Sequence, residues 1–228
     1  MSLNLCEIFY SIQGESTFVG LPCAFIRLAG CNLNCSWCDT IYARDDIGLS
    51  VEIDEIISKI EVFDSKLVEI TGGEPLMQKE TPILIEQLLN LGYQVLVETN
   101  GSININTISN RCVRVVDIKC PSSNESDKNL LTNIDMLTDQ DEIKFVVADK
   151  KDYEFAKDII YETNLKKISP SKIHISPVGL GSNYNKSLYN LELLSLEELA
   201  ALMVKDKIGA RLSLQMHKIV WNPEKRGV

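Results

Sequence analysis

From Cys23 onward the chain alternates short apolar, β-branched runs with stretches of helical period, and this alternation limits its fold more than any other feature. The runs lie at residues 23–29 (bounded by Pro22 and Gly30), 67–71, 93–98, 113–118, 143–147, 172–175 and 211–215. Each has strand length and strand composition. A helix is expected from Ser50, as its cap, to about Ile60, with Glu52, Asp54 and Glu55 in its first turns and Ile53, Ile56, Ile57 and Ile60 on one face. Further helices are expected from Thr81-Pro82 to Leu91, ended by Gly92, from Asp152 to Tyr161, and from the Ser195 to Glu198 capping box to about Lys205. Residues 122–141 and 179–190 read as irregular loops. Strands alternating with helices imply parallel strands and right-handed crossovers. The expected fold class is therefore α/β, a partial or reduced (β/α) barrel with about six mostly parallel strands. At 228 residues and 45% hydrophobic content, one domain spanning 1–228 is expected.

In such folds the chemistry sits at the C-terminal ends of the strands. The segments there are the thiol loop from Gly30 to Thr40, then Thr71-Gly72-Gly73-Glu74, Glu98-Thr99-Asn100, Asp117-Ile118-Lys119 and Ser176-Pro177. Cys31, Cys35 and Cys38 place three soft ligands within eight positions. A CxxxCxxC loop can hold three irons of a cubane cluster and leave the fourth open to a small chelator, such as the amino and carboxylate groups of S-adenosylmethionine. Spacing leaves two other readings open: a tetrahedral zinc site, which needs a fourth ligand, and plain reduced thiols. Cys6, Cys23, Cys112 and Cys120 are scattered, and His174 and His217 lie far apart. Gly72-Gly73-Glu74-Pro75 can bring backbone close to a ligand amine, or can simply turn the chain.

The net charge of -9 argues against a broad nucleic-acid footprint. Seven cysteines and an N-terminus without basic and apolar leader regions point to a reducing cytoplasmic location. No apolar stretch approaches bilayer length, so no membrane partner is expected. Arg27 stands inside an apolar run. A guanidinium buried there needs a carboxylate, from a ligand or from an acid such as Glu69. Ile12-Gln13-Gly14 can offer backbone groups and one amide to a polar ligand edge.

CxxxCxxC followed one strand later by Gly72-Gly73-Glu74-Pro75 resembles the radical S-adenosylmethionine superfamily. The stretches Glu7-Ile-Phe-Tyr-Ser-Ile-Gln-Gly-Glu15, Phe25-Ile-Arg-Leu-Ala-Gly-Cys31, Cys38-Asp39-Thr40 and Lys225-Arg226-Gly227-Val228 narrow the resemblance to the 7-carboxy-7-deazaguanine synthase family, with matches from residue 7 to the last. The resemblance implies a carbon–nitrogen lyase acting on 6-carboxy-5,6,7,8-tetrahydropterin. A cofactor-borne radical would contract the ring with release of ammonia, giving 7-carboxy-7-deazaguanine for deazapurine and queuosine synthesis. It implies a [4Fe-4S] cluster on Cys31, Cys35 and Cys38, and magnesium on Thr40. S-adenosylmethionine would meet Trp37, Asp39, Gly73, Asp117, Ile118, Lys119, Ser176, Pro177, Val178 and Gly179. The small-molecule pterin would meet Ile12, Gln13, Gly14, Arg27, Thr71 and Val228, the last through its terminal carboxylate. The implied partners are an electron donor such as a flavodoxin or ferredoxin and a second copy in a homodimer. The segments at 117–119 and 176–179 depart from the family pattern. A glycyl-radical-enzyme activase shares the thiol spacing but leaves Arg27, Gln13 and the Lys225 to Val228 ending unexplained.

Overall fold

All seven apolar runs become strands lying side by side. The computed structural model describes residues 1–178, 193–222 and 225–228. Its strands are β1 (Ser2–Ile12), β2 (Pro22–Leu28), β3 (Leu49–Glu52), β4 (Leu67–Gly72), β5 (Gln94–Thr99), β6 (Val113–Ile118), β7 (Glu142–Val147), β8 (Ile173–Pro177) and β9 (Arg211–Leu212). They form one sheet in the order β3-β1-β2-β4-β5-β6-β7-β8-β9. From β2 to β9 every neighbouring pair is parallel, whereas β1 pairs antiparallel with β2 and β3. The architecture is a mostly parallel α/β sheet whose edge strands, β3 and β9, do not pair with each other. The seven apolar runs, together with β1 and β3, which were not foreseen, give nine strands among the described residues, against the expected count of about six.

Both omissions have a physical cause. In β1 the pairing slips by one residue at Cys6, so Leu5 faces Leu28 but Glu7 faces Arg27. A one-residue slip exchanges the two faces of a strand and destroys its alternation. Leu3 and Leu5 accordingly join one core cluster and Phe9 another. Strand β3 is a short edge piece made by pairing, with Asn4 opposite Ser50. Ser50 is therefore a strand residue and not a helix cap.

The helices are α1 (Ile41–Arg44), α2 (Ile53–Glu61), α3 (Thr81–Asn90), α4 (Lys150–Glu162), α5 (Leu196–Asp206) and α6 (Met216–Val220). In α2 the four isoleucines are buried as their spacing requires. Thr81 is the first residue of α3, and its hydroxyl donates to the Pro75 carbonyl at 2.7 Å. Helix α4 starts earlier than expected because Asp149 accepts the Asp152 N–H at 2.9 Å. The capping box of Ser195 and Glu198 is present in both directions. The loop at 122–141 carries three 3-10 turns, and the one expected at 179–190 lies outside the described residues.

Strand alternation gives the sheet two unlike faces. Val68, Ile70, Val95, Val97, Val116, Phe145, Val147 and Ile175 pack against Ile56, Leu84, Tyr153 and Leu199 of the helices, in two clusters. On the other face Phe9, Cys23, Phe25, Leu67, Leu96, Val113 and Val115 form a smaller apolar cluster near the strand starts. Two residues further along these strands, and so still on this face, come Arg27, Glu69, Glu98 and Asp117, with Lys144 of β7 beside Asp117. Each buried aliphatic or aromatic side chain contributes about 1.5–3 kcal/mol. This dry floor fixes a layer of ionisable groups above it, at the C-terminal half of the sheet.

Candidate active site

A cavity of about 250 Å³ opens over that layer. Sixteen residues singled out from the sequence line it: Ile12, Gln13, Gly14, Arg27, Cys31, Cys35, Trp37, Cys38, Asp39, Thr40, Thr71, Gly73, Asp117, Lys119, Val178 and Val228. Ile118, Ser176 and Pro177 do not. The pleat that turns Asp117 to the cavity turns Ile118 into the helix-side core, and Ser176 and Pro177 are buried beside the cavity. Gly179 lies outside the described residues.

The thiol loop is held on two sides. Toward β4, Gly73 N–H donates to Leu28 O at 3.1 Å and Glu74 N–H to Gly30 O at 2.8 Å. A Cβ at Gly72 would fall 2.1 Å from Leu28 O, and one at Gly73 would fall 2.0 Å from Gly30 O and 2.9 Å from Cys31 Cβ. The close approach anticipated for these glycines is thus made by the thiol loop itself, although Gly73 also lines the cavity. On the far side Ser36 N–H donates to Ser123 O at 3.0 Å, and Trp37 Nε1 to Ser122 Oγ at 2.9 Å. Ser122 is fixed by buried Asp152, which accepts its N–H at 2.9 Å and also contacts its hydroxyl.

Cys31, Cys35 and Cys38 are all free thiols. Cys31 Sγ accepts the Leu33 N–H at 3.5 Å and Asn100 Nδ2 at 3.7 Å. Burial pushes the Cys35 thiol up to about 11, with Lys119 opposing, and raises Cys38 as well. Metal coordination would ionise both. Among the described residues no three His, Cys, Asp or Glu side chains gather round one point as a mononuclear ion requires. Cys31, Cys35 and Cys38 all line the cavity, and three soft thiol donors are the chemistry that would hold a [4Fe-4S] cluster with one iron left open.

The charged layer is tightly connected. Lys144 Nζ lies 2.7 Å from Glu15 Oε2, contacts Glu98 Oε1, and is 3.9 Å from Asp117 Oδ2. Lys119 Nζ lies 2.7 Å from Asp117 Oδ2 and 5.7 Å from the centre of the Trp37 ring. Asp117 Oδ1 is buried without a hydrogen-bond partner, an acceptor that a ligand can satisfy. Burial, then the charges of Glu98 and Glu15, push Glu69 well above the usual carboxylate range. Gln13 spends its side chain inside the protein: Nε2 donates to Glu69 Oε2, and Oε1 accepts the Glu15 N–H at 2.9 Å. Its backbone is engaged as well: the N–H donates to Leu21 O and the carbonyl accepts the Gly20 N–H, each at 2.8 Å.

Helix α6 borders the same cavity. His217 packs so closely on Gly14 that a Cβ there would lie 2.1 Å from Nδ1, and burial lowers the histidine pKa. Lys218 pairs with Asp39 Oδ2 and donates to Gln215 Oε1 at 2.7 Å. Burial acts against ionisation of Asp39, but Lys218 outweighs it and holds the carboxylate well below its usual range. Thr40 Oγ1 donates to Asp39 Oδ1 at 2.8 Å. The acid that pairs with Arg27 is Glu7, whose Oε1 accepts Arg27 Nε at 2.8 Å, and not Glu69. Sequence reasoning placed Glu98 at a chemistry-bearing strand end without giving it a role, and did not assign Glu15, Lys144, Gln215 or Lys218 to the site. A signal existed for Lys144, since β2, β4, β5 and β6 also each carry an ionisable residue on this face toward the cavity end.

A model of the radical SAM superfamily matches residues 25–186. The 7-carboxy-7-deazaguanine synthase of Koribacter versatilis is 39% identical over 228 residues, covering 99% of this chain and 100% of that protein. That of Chlorobaculum tepidum is 40% identical over 229 residues, covering 99% of this chain and 97% of the relative. The crystal structure of QueE from Escherichia coli matches with a TM-score of 0.73 over 95% of both chains, at 22% identity, a likeness of fold.

Proposed function

The chain belongs to the 7-carboxy-7-deazaguanine synthase family of the radical S-adenosylmethionine superfamily, and from that premise we propose how its cavity performs the ring contraction. Three free thiols and a guanidinium with unused nitrogens opening onto one cavity are the observation that carries the reading. Cys31, Cys35 and Cys38 hold the [4Fe-4S] cluster, with Trp37, Asp39, Gly73, Asp117 and Lys119 placed for S-adenosylmethionine. When bound, these two groups supply an electron and a carbon-centred radical.

Protein groups do the rest. Arg27 takes the carboxylate of 6-carboxy-5,6,7,8-tetrahydropterin through its terminal nitrogens, which have no partner among the described residues. Glu15, held ionised by Lys144, and Glu98 accept from the N–H edge of the pterin, with Ile12, Gln13, Gly14, Thr71 and Val228 completing the pocket. Phe9 and Phe25, stacked at 4.8 Å, close the apolar side against water. Thr40 offers one hard oxygen to Mg2+, an ion that needs few protein ligands. The same reading gives the enzyme a flavodoxin or ferredoxin as electron donor, a homodimeric state and a cytoplasmic location.

The test is anaerobic turnover of reconstituted protein with a chemical reductant, the carboxylated pterin and substoichiometric S-adenosylmethionine. Product and ammonia in excess of cofactor are expected, with none from Cys35→Ala. Magnesium stimulation should vanish in Thr40→Ala. Turnover by the cysteine variant would refute the cluster assignment, and no turnover by the wild type would favour the activase reading.

A further inference from the structure

Because β1 slips at Cys6, Glu7 lands on the cavity face directly across from Arg27. Without the slip the pleat would carry Glu7 to the helix side. Glu7 Oε1 accepts two hydrogen bonds there, from Arg27 Nε and from the Tyr42 hydroxyl, each at 2.8 Å. Tyr42 belongs to α1, two residues beyond Thr40. Arg27 Cζ stands 5.9 Å from the centre of the Tyr42 ring and 5.6 Å from that of Phe9. On Tyr42 also stacks Arg226, with Cζ 3.9 Å from the ring centre. The Tyr42 phenol is the O–H donor in this contact, so Glu7 is held from both sides.

The guanidinium is thereby held by its Nε edge and by two aromatic rings. Only the end-on pair of Nη nitrogens stays open to the cavity, and that pair matches the two oxygens of a carboxylate. An arginine without these restraints would present its side edge or its end in turn, and would gain less from a carboxylate fixed in the pocket.

We propose that Glu7 and Tyr42 are positioning residues that aim Arg27 at the substrate carboxylate, and that they set the preference for a carboxylated over a carboxyl-free pterin. The inference rests on the proposed contact between Arg27 and that carboxylate. Neither residue need touch the substrate. Their effect is confined to ligands that carry the anion.

Calorimetric titration of the anaerobic holoenzyme with the carboxylated tetrahydropterin, and with the tetrahydropterin lacking the carboxyl group, tests this. In Glu7→Gln the affinity for the carboxylated ligand should fall about tenfold, and in Tyr42→Phe about threefold, while the carboxyl-free ligand binds as before. Arg27→Lys should remove the preference altogether. If Arg27→Lys removes it while Glu7→Gln and Tyr42→Phe both keep it, the positioning role is refuted alone. If Arg27→Lys keeps it, the carboxylate contact itself is refuted. Equal weakening of both ligands in Glu7→Gln and Tyr42→Phe would mark a general packing role and also overturn the proposal.

Discussion

Glu74 Oε2 accepts the backbone N–H of Asn100 at 2.7 Å, and through that bond the Gly-Gly-Glu-Pro segment governs the first thiol. Asn100 sends Nδ2 to Cys31 Sγ at 3.7 Å and to Asn32 Oδ1 at 3.0 Å. The other Glu74 oxygen accepts from Thr99 Oγ1 and Leu76 N–H, each at 2.9 Å. Burial raises the pKa of this fully enclosed carboxyl, and the hydrogen bonds from Asn100, Leu76 and Thr99 offset only part of the rise. The motif therefore acts by locking β4 to β5 beneath the thiol loop.

Replacing Glu74 by alanine leaves several buried donors without an acceptor, at about 1–3 kcal/mol for each that cannot find water. The thermal midpoint should drop by several degrees, and iron bound per chain after anaerobic reconstitution should fall. Glu74→Gln keeps one acceptor oxygen and should lose less of both. Full iron occupancy in Glu74→Ala would mean that Asn100 does not help to hold Cys31.

Much of this was legible in the sequence, for reasons particular residues make plain. Strands β2 and β4 to β8 are apolar, β-branched runs whose burial dominates every other preference. The thiol loop is legible by spacing, and Arg27 because a charge in an apolar strand demands a partner. That the partner is Glu7 was hidden by the slip at Cys6, which no alternation pattern announces. Nor could Lys144 be matched to Glu15, 129 residues away, since only the folded sheet brings the loop after β1 over β7. Helix boundaries moved where tertiary pairing won, as at Ser50, which hydrogen-bonded pairing with β1 draws into β3.

Gly73→Ala tests the contact between β4 and the thiol loop. The added methyl would meet the Gly30 carbonyl and the Cys31 Cβ, neither of which can swing aside as the end of a long side chain could. The expected cost is about 1–3 kcal/mol of overpacking. Because the strain falls on Cys31, the iron–sulfur charge-transfer absorption of reconstituted protein should weaken more than far-ultraviolet circular dichroism changes. Normal absorption with normal stability would show that the loop yields freely.

Lys144→Met should be destabilising by about 3 kcal/mol, because it strands Glu15 and Glu98 in the cavity floor without their cation. In the wild type burial works against ionisation of Glu15, yet Lys144 and its hydrogen bond bring the carboxyl down to about 2 from 4.5. A depressed carboxyl contributes stability above its unfolded value, and that contribution is lost as the pH falls through the folded value. The acid limb of stability, from about pH 4.5 down to about 2, should therefore flatten in Lys144→Met and persist in Lys144→Arg. Urea midpoints across that range measure it; an unchanged limb would remove Lys144 as the cause.

Glu69→Gln should show the opposite sign. Burial and the neighbouring Glu98 and Glu15 hold this carboxyl well above 4.5, so the folded protein keeps a proton that the unfolded chain releases once the pH passes that value. Its favourable contribution is complete below the unfolded value and is lost as the pH rises toward the folded one. Glutamine cannot titrate, and its amide oxygen still accepts from Gln13 Nε2. The variant should therefore match the wild type near pH 4 and become progressively the more stable of the two through neutrality, until the folded carboxyl ionises. Glu15 titrates in both proteins and cancels to first order in the difference. Paired urea denaturation at about pH 4, 6 and 8 reads this directly. A difference that stays constant with pH, or that favours the wild type as pH rises, would show that Glu69 is ionised in the folded cavity.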